Sequence, residues 1–365
     1  MERFFGNRRI ALYASGTAAL AKAIANCASR SDVEVPEVII PAYGCPDLVA
    51  ACLNASVYPR LVDVAASHWS YDLEALKSSL SANTVAIVAV NLLGLGDGSA
   101  ELVGLCNERH ISLIQDSAQY LPRESIGWPG DYVVLSFGRG KPLNLLHGGA
   151  LVSRPADGNS LAAPPAHYTV RERLLSSRSA AIAFNGLTRP SIYGIFSALP
   201  RTGLGDVIYK PLRDAALLPD RAWRQVGPAF ELYRRKPSYR RDIWAAALEA
   251  WSELGVVPLS APGVPLPAEP LRLALLAPDG AARDILVDSL NRAGLGASAF
   301  YATELTRVAG IPETVKRQGP FPNANALADR FFTLPTHGLV TANTVRTARD
   351  LVLAWRDSKH CIAAR

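Results

Sequence analysis

Three separated groups of side chains could together hold and work on one small anionic ligand. Ser15-Gly16-Thr17 stands directly before a helix-compatible run of small residues, where free backbone N–H groups and the Thr17 hydroxyl can hold a phosphate. Asp116-Ser117-Ala118-Gln119 follows the apolar run Ile111–Gln115, which puts a carboxylate at the C-terminal end of a strand, where open α/β sheets bind ligands. Ser136-Phe137-Gly138-Arg139-Gly140-Lys141 follows the next apolar run, and Gly148-Gly149 begins seven residues beyond the lysine. Singly these read as a helix cap, a solvated strand end and one more surface lysine. In this order, each at an element's end, they are far more specific.

Two further groups compete for attention. Gly94-Leu95-Gly96-Asp97-Gly98-Ser99 lies between a strand run and a helix run, with Asp116 about twenty residues on, the setting of a dinucleotide-binding turn. Ser99 stands where the third glycine or alanine belongs, and the unit is not the first of its kind in the chain, so an NAD(P)-dependent oxidoreductase is the remote alternative. Arg234-Arg235-Lys236 with Arg240-Arg241, set among Tyr233, Tyr239 and Trp244, is the densest basic stretch. It reads first as a solvated helix face at a domain junction, and alternatively as a phosphate clamp for a nucleotide-bearing substrate.

The elements that must carry these groups alternate up to about residue 153. Strand runs are expected at Ile10–Ala14, Glu37–Ile40, Tyr58–Val64, Thr84–Asn91, Ile111–Gln115, Tyr132–Ser136 and Ala150–Ser153. Helix runs are expected at Thr17–Ala28, Pro46–Leu53, Asp72–Leu80 and Ser99–Arg109. Continuous apolar strands separated by helices predict an α/β core, a mainly parallel sheet covered on both faces. The pattern weakens from about 155 to 230, where Pro, Gly and Ser interrupt runs such as Ser191–Leu199 and helices are expected without defined bounds. Then come a helix at Tyr239–Leu254, the Pro-rich connector Val257–Pro270, a strand at Leu271–Leu276, and helices at Ala281–Ala293, Ala324–Phe331 and Val345–Arg356. This second part reads as a small α+β domain, giving a large domain over 1–235 and a small one over 236–365.

Composition agrees. The chain has 365 residues, 49% hydrophobic and 19% charged, a globular composition long enough for more than one core. A net charge of +6 permits an anionic ligand without demanding nucleic acid. Five cysteines, an odd number with no CxxC spacing, fit reduced thiols, no structural metal and a cytoplasmic location. Arg3, Arg8 and Arg9 before Ile10–Ala28 imitate a secretory leader, but Ser15-Gly16-Thr17 and Lys22 break its core. No run is long enough to span a membrane.

The ordered set Ser15-Gly16-Thr17-Ala18-Ala19-Leu20, Ile39-Ile40-Pro41-Ala42-Tyr43, Val62-Asp63-Val64, Asp116-Ser117-Ala118-Gln119 and Ser136-Phe137 with Lys141 resembles the DegT/StrS family of pyridoxal-phosphate-dependent (sugar) aminotransferases, within the fold-type-I, aspartate aminotransferase-like superfamily. Phe321-Pro322-Asn323-Ala324-Asn325 and Leu334-Pro335-Thr336-His337 extend the match into the small domain. The resemblance implies a pyridoxal 5'-phosphate cofactor with Lys141 as its Schiff-base lysine, Asp116 at the pyridine nitrogen and Gln119 near the ring oxygen. Gly16, Thr17 and Ser136 would then hold the phosphate. It implies a homodimer, an amino donor such as glutamate and a keto acceptor, plausible as a nucleotide-linked keto-sugar. A decarboxylase, lyase or racemase on the same cofactor, or an aminotransferase of a non-sugar carbonyl compound, is the nearer alternative; Lys141 argues against the family's dehydrating branch, which carries His there.

Departures from the family pattern fall on the substrate side. Cys45 stands where most relatives stack an aromatic ring on the cofactor, with Tyr43 the nearest ring, and either a cofactor contact or a structural buried thiol would explain it. Only 14 residues precede Ser15, which implies a trimmed front segment. The Asn-Tyr-Arg motif of many relatives is missing, with Asn185 and Arg189 as stand-ins. His147 and Asn144 either face the pocket or decorate a Gly-rich turn, His337 is expected at the small domain's rim, and Asn91 stands where relatives often carry His.

Overall fold

The computed structural model describes residues 1–95, 100–154, 207–218, 220–235, 241–260 and 270–363. Gly96 to Ser99, the run 191–199, Asn185, Arg189, Lys236, Tyr239, Arg240 and most of the 257–270 connector lie outside the described residues.

The first strands and helices form where apolar pattern and end signals agree. Ser15 caps α1 (Gly16–Ala28), its Oγ accepting the Ala18 N–H at 3.0 Å. The small residues Ala18, Ala19, Ala21 and Ala23 are fully buried and let the helix lie close against the sheet. Asp72 caps α3 (Leu73–Ser79) in the same way, accepting from Glu74 and Ala75 N–H. The strands are β1 (Arg9–Tyr13), β2 (Glu37–Pro41), β3 (Tyr58–Val62), β4 (Thr84–Val90), β5 (Ser112–Asp116), β6 (Tyr132–Ser136) and β7 (Gly149–Ser153). α2 (Asp47–Asn54) and α4 (Ala100–Arg109) complete the connections.

These strands make one seven-stranded sheet in the order β1-β7-β6-β5-β4-β2-β3. The five neighbours from β6 to β3 run parallel, and toward the other edge β7 runs antiparallel to both of its neighbours, β6 and β1. The expected mainly parallel sheet is present. Its Thr84–Val90 strand is apolar along nearly its whole length because it is covered on both faces.

The second part has a three-stranded antiparallel sheet of β8 (Val257–Pro258), β9 (Arg272–Leu276) and β10 (Phe331–Pro335), in the order β10-β9-β8. β10 corrects the reading of Ala324–Phe331 as helix to its end: the helix covers Pro322–Arg330 and the chain leaves it at Phe331 as a fully buried strand. A short apolar run after a helix cannot be told from its last turn by periodicity. The expected Tyr239–Leu254 helix is also shorter, a 3-10 turn at Asp242–Trp244 followed by Ala245–Ser252. A helix at Asp220–Arg235 carries Pro228 inside it and ends on Arg234 and Arg235 of the basic stretch, in line with the helix-face reading. The boundary expected at 235/236 abuts residues outside the described set.

The two parts share a core. Leu259, Leu271, Tyr301, Leu305, Ile311 and Phe331 pack in one apolar cluster with Ile24, Ile40, Leu48 and Val88 of the first sheet and its helices. Two quoted motifs meet here. Asp63 Oδ1 accepts the Ala324 N–H at 2.8 Å and Oδ2 accepts the Asn323 N–H at 3.0 Å, so Asp63 satisfies the start of the Pro322–Arg330 helix. Asn323 Nδ2 donates back to the Val64 carbonyl.

Candidate active site

The C-terminal ends of β4, β5 and β6 open with the start of α1 onto one cleft, lined by Gly16, Thr17, Cys45, Asp116, Gln119, Ser136 and Lys141 together with Asp47, Asn91 and Tyr301. Its void, mouth included, is about 580 Å³. All seven residues singled out from the sequence border it.

Each arrives by local geometry. Asp116 is the last residue of β5, and its Oδ1 accepts the Ala118 N–H at 3.0 Å, an Asx-type turn that aims the carboxyl out of the sheet. Burial holds this carboxyl above the ordinary carboxylate range, against the Ala118 N–H and the positive charge of Lys141, which pull it down. Lys141 sits in the turn after β6, where its N–H bonds the Gly138 carbonyl and Gly140 takes φ +69°. Ser136 ends β6 beside Gly16, and Gly149 fits against the Ser15-Gly16 backbone so closely that a Cβ there would stand 2.6 Å from Gly16 N.

Two side chains are committed differently from the expectation. The Thr17 hydroxyl donates to Asp47 Oδ2 at 2.9 Å, so at the start of α1 an anion meets the helix end and Ser136 before it meets that hydroxyl. The Gln119 amide is shared: Oε1 accepts the Leu93 N–H at 2.9 Å and Nε2 donates to the Tyr301 hydroxyl at 3.0 Å. Asn91 Nδ2 donates to Ser117 Oγ at 2.6 Å, which fixes the loop after β5 from the end of β4.

Of the two candidates for the cofactor face, Cys45 borders the cleft and Tyr43 does not; Tyr43 is buried behind it, edge-on to Tyr301 and Phe331 with ring centroids 6.0 Å apart in each pair. Burial, reinforced by the Asp47 charge, pushes the Cys45 thiol up to about 12, so it is a neutral thiol and no nucleophile at neutral pH. His147 and Asn144 are exposed, and Asn144 Oδ1 caps its own turn through the Leu146 N–H. His337 is exposed and accepts the Leu339 N–H.

Asp47 and Tyr301 are cleft residues that sequence reasoning missed; the more distant is Tyr301. It comes from the second part of the chain, and only the Phe300-Tyr301 ring pair in an otherwise loop-like stretch marks it in the sequence. The basic stretch does not reach the cleft in the described residues. The Arg234 guanidinium lies 5.2 Å from the Phe4 ring centroid, its Nε donates to the Arg123 carbonyl and it borders a separate groove with Met1 and Trp223. Of the Gly-rich turn, Gly94 has φ +91° with the Pro270-Leu271 backbone against it; it serves chain packing there.

The donor set suits pyridoxal 5'-phosphate. The buried Asp116 carboxyl suits a ring N–H, the nearby lysine suits an aldehyde, and the glycine-lined start of α1 beside Ser136 suits a phosphate. Among the described residues no group of three or more His, Cys, Asp and Glu could hold a metal ion. Among them, too, no helix is long and apolar enough to cross a membrane.

A mainly parallel sheet with a lysine, a strand-end carboxylate and a helix start at its C-terminal edge has the fold of fold-type-I aminotransferases. Over residues 1–161 the chain matches the model of the DegT/DnrJ/EryC1/StrS aminotransferase family, so the resemblance carried by Ser15 to Lys141 stands. Protein MosB of Rhizobium meliloti is 28% identical over 159 residues, 42% of this chain and 31% of MosB, so the match spans under a third of that relative's length. The PLP form of Spr1654 from Streptococcus pneumoniae superposes with a TM-score of 0.70 at 17% identity, covering 97% of this chain and 89% of that one. Helicobacter pylori PseC, an aminotransferase involved in the biosynthesis of pseudoaminic acid, gives a TM-score of 0.68 at 16% identity over 98% of this chain and 89% of its own.

Proposed function

We propose that this chain is a pyridoxal-phosphate-dependent aminotransferase that moves an amino group from a donor such as glutamate to a keto substrate, a nucleotide-linked keto-sugar in surface-polysaccharide or natural-product biosynthesis. The observation that carries the reading is the placement of Asp116 and Lys141 in one cleft with the Gly16–Ser136 contact at the start of α1. The family match over 1–161 and the MosB, Spr1654 and PseC likenesses support it.

When bound, the cofactor supplies an aldehyde for an amine to condense with and a ring that takes up the charge left when a substrate carbon loses its proton. The chain's own residues do the rest. Asp116, whose charge burial disfavours, is relieved by a positive ring N–H and keeps that proton in place. Lys141 would hold the cofactor through its amine, and its Nζ would take up and return a proton at the substrate carbon. Gly16, Thr17 and Ser136 hold the phosphate through helix-start N–H groups and a hydroxyl. Cys45 contributes a neutral, polarizable surface.

A large domain over 1–235, a small one over 236–365 and a homodimer with both chains at each site belong to the same reading, supported by the family resemblance. A fully active monomer in sedimentation would count against the dimer. Reduced thiols at Cys45, Cys52 and Cys106 support a cytoplasmic location.

The test is direct. Purified protein incubated with pyridoxal phosphate turns yellow, loses the colour on borohydride reduction and carries the reduced adduct on a peptide containing Lys141. A colourless wild-type protein overturns the reading. Glutamate then shifts the visible absorbance of the loaded protein; inertness to all common amino donors points instead to a decarboxylase, lyase or racemase.

A further inference from the structure

Tyr301 is buried, with 8% of its surface exposed, yet its backbone has φ +49°. A bulky side chain in the left-handed region is a true outlier, and such strain persists where surrounding contacts hold it, most often at functional sites. Gln119 Nε2 donates to the Tyr301 hydroxyl at 3.0 Å. The Cys45 thiol shares a hydrogen bond with the same hydroxyl and also accepts the Asp47 N–H. The Leu93 N–H closes the other end on Gln119 Oε1. The ring is steadied by Phe300, 4.6 Å away between centroids, and by Tyr43.

The position has a second consequence. A larger cavity adjoins the cleft, about 2330 Å³ with its mouth included, bordered by Ile208, Arg283, Asn291 and Arg307, and the two share Gly44 and Tyr301 as common wall. Tyr301 therefore stands between the cofactor cleft and the space from which a substrate can approach.

We propose that Tyr301 is a positioning residue of the cofactor cleft, holding the Gln119 amide and the Cys45 thiol as one hydrogen-bonded arm that sets the polarity around the bound ring. This rests on the aminotransferase reading. The groups facing the Tyr301 hydroxyl are Cys45, Asp116 and Tyr43, with Lys141 and Asp47 beyond Cys45 and Asp116. Tyr301→Phe keeps the ring and deletes the hydroxyl. It leaves the Gln119 amide and the Cys45 thiol free to turn, without emptying the cavity.

The experiment loads wild-type, Tyr301→Phe, Cys45→Ala and double-variant protein with pyridoxal phosphate. It reads the dissociation constant by equilibrium dialysis and the pH midpoint of the visible absorbance. Tyr301→Phe is expected to weaken cofactor retention about threefold to tenfold and to displace the absorbance midpoint. The double variant should behave like Tyr301→Phe, because members of one arm do not add. Tyr71→Phe is the control: Tyr71 is equally buried but donates to the Val88 carbonyl at 2.7 Å inside the first core, so it should lower the melting temperature and leave the midpoint in place. A Tyr301→Phe protein with wild-type affinity and midpoint overturns the proposal, as do additive shifts in the double variant or an equal displacement in Tyr71→Phe. Wild-type protein that takes up no cofactor overturns the aminotransferase reading and this inference with it.

Discussion

Gly16 meets Ser136 so closely that a Cβ on the glycine would stand 2.7 Å from the serine's Cβ and 3.0 Å from its hydroxyl. The helix start and the end of β6 thus touch backbone to side chain, and an anion at α1 is served by both. Two of the chain's three expected phosphate-holding groups, Gly16 and Ser136, make this one contact.

Gly16→Ala should therefore destabilise the fold by about 1–3 kcal/mol through overpacking and lower cofactor affinity together with it. Ser136→Gly added to Gly16→Ala removes the collision. The pair should recover the melting temperature but leave phosphate retention weak, as read by equilibrium dialysis with pyridoxal phosphate. Full recovery of both would mean that Ser136 does not hold the anion.

For Asp116 the sign follows from burial. Its carboxyl titrates higher folded than unfolded, so in the cofactor-free chain the folded state binds that proton more tightly, and stability drawn from it is lost as pH rises from the ordinary Asp range through the raised folded value. Cofactor-free Asp116→Asn should melt above wild type at pH 7, with the gap closing below the ordinary Asp pKa. The loaded variant should lose at least about a hundredfold in kcat. Melting curves across pH decide it, and a gap that widens on acidification contradicts the buried-carboxyl account.

Asp47 accepts the Thr17 hydroxyl at the mouth of the anion site. One negative charge there opposes another. Asp47→Asn should tighten binding of inorganic phosphate to the cofactor-free protein about threefold to tenfold at low salt, and added salt should shrink the effect. Calorimetric titration reads it; unchanged or weaker binding would place the anion away from Asp47.

Arg234 packs over Phe4 and Phe230 and donates to the Arg123 carbonyl. Arg234→Ala should cost about 0.5–1 kcal/mol of stability and leave KM for a nucleotide-linked acceptor within about twofold of wild type. A tenfold rise in KM at unchanged stability would restore the clamp reading of the basic stretch.

Much of the site was legible before the fold was. Strands ending at Asp116 and Ser136 are apolar because both faces of a parallel sheet are covered, and Ser15 before an alanine-rich run is a cap with a physical reason. Those local signals suffice to order the groups along one sheet edge. Less visible was β10, whose Phe331–Pro335 run abuts a helix without a turn signal. The bounds of the helix at Asp220–Arg235 were hidden too, since Pro228 within it reads as a breaker.

By itself, then, the sequence determined seven residues that line the cleft and the sheet that presents them, because those depend on patterns a few residues long. Only the tertiary structure decided which of their polar atoms are free. Thr17 is turned to Asp47 and Gln119 to Leu93 and Tyr301, pairings set by packing across up to 182 positions of sequence. Tyr301 itself enters the cleft because the second part of the chain shares a core with the first, and no local spacing encodes a contact made by burying two distant surfaces together.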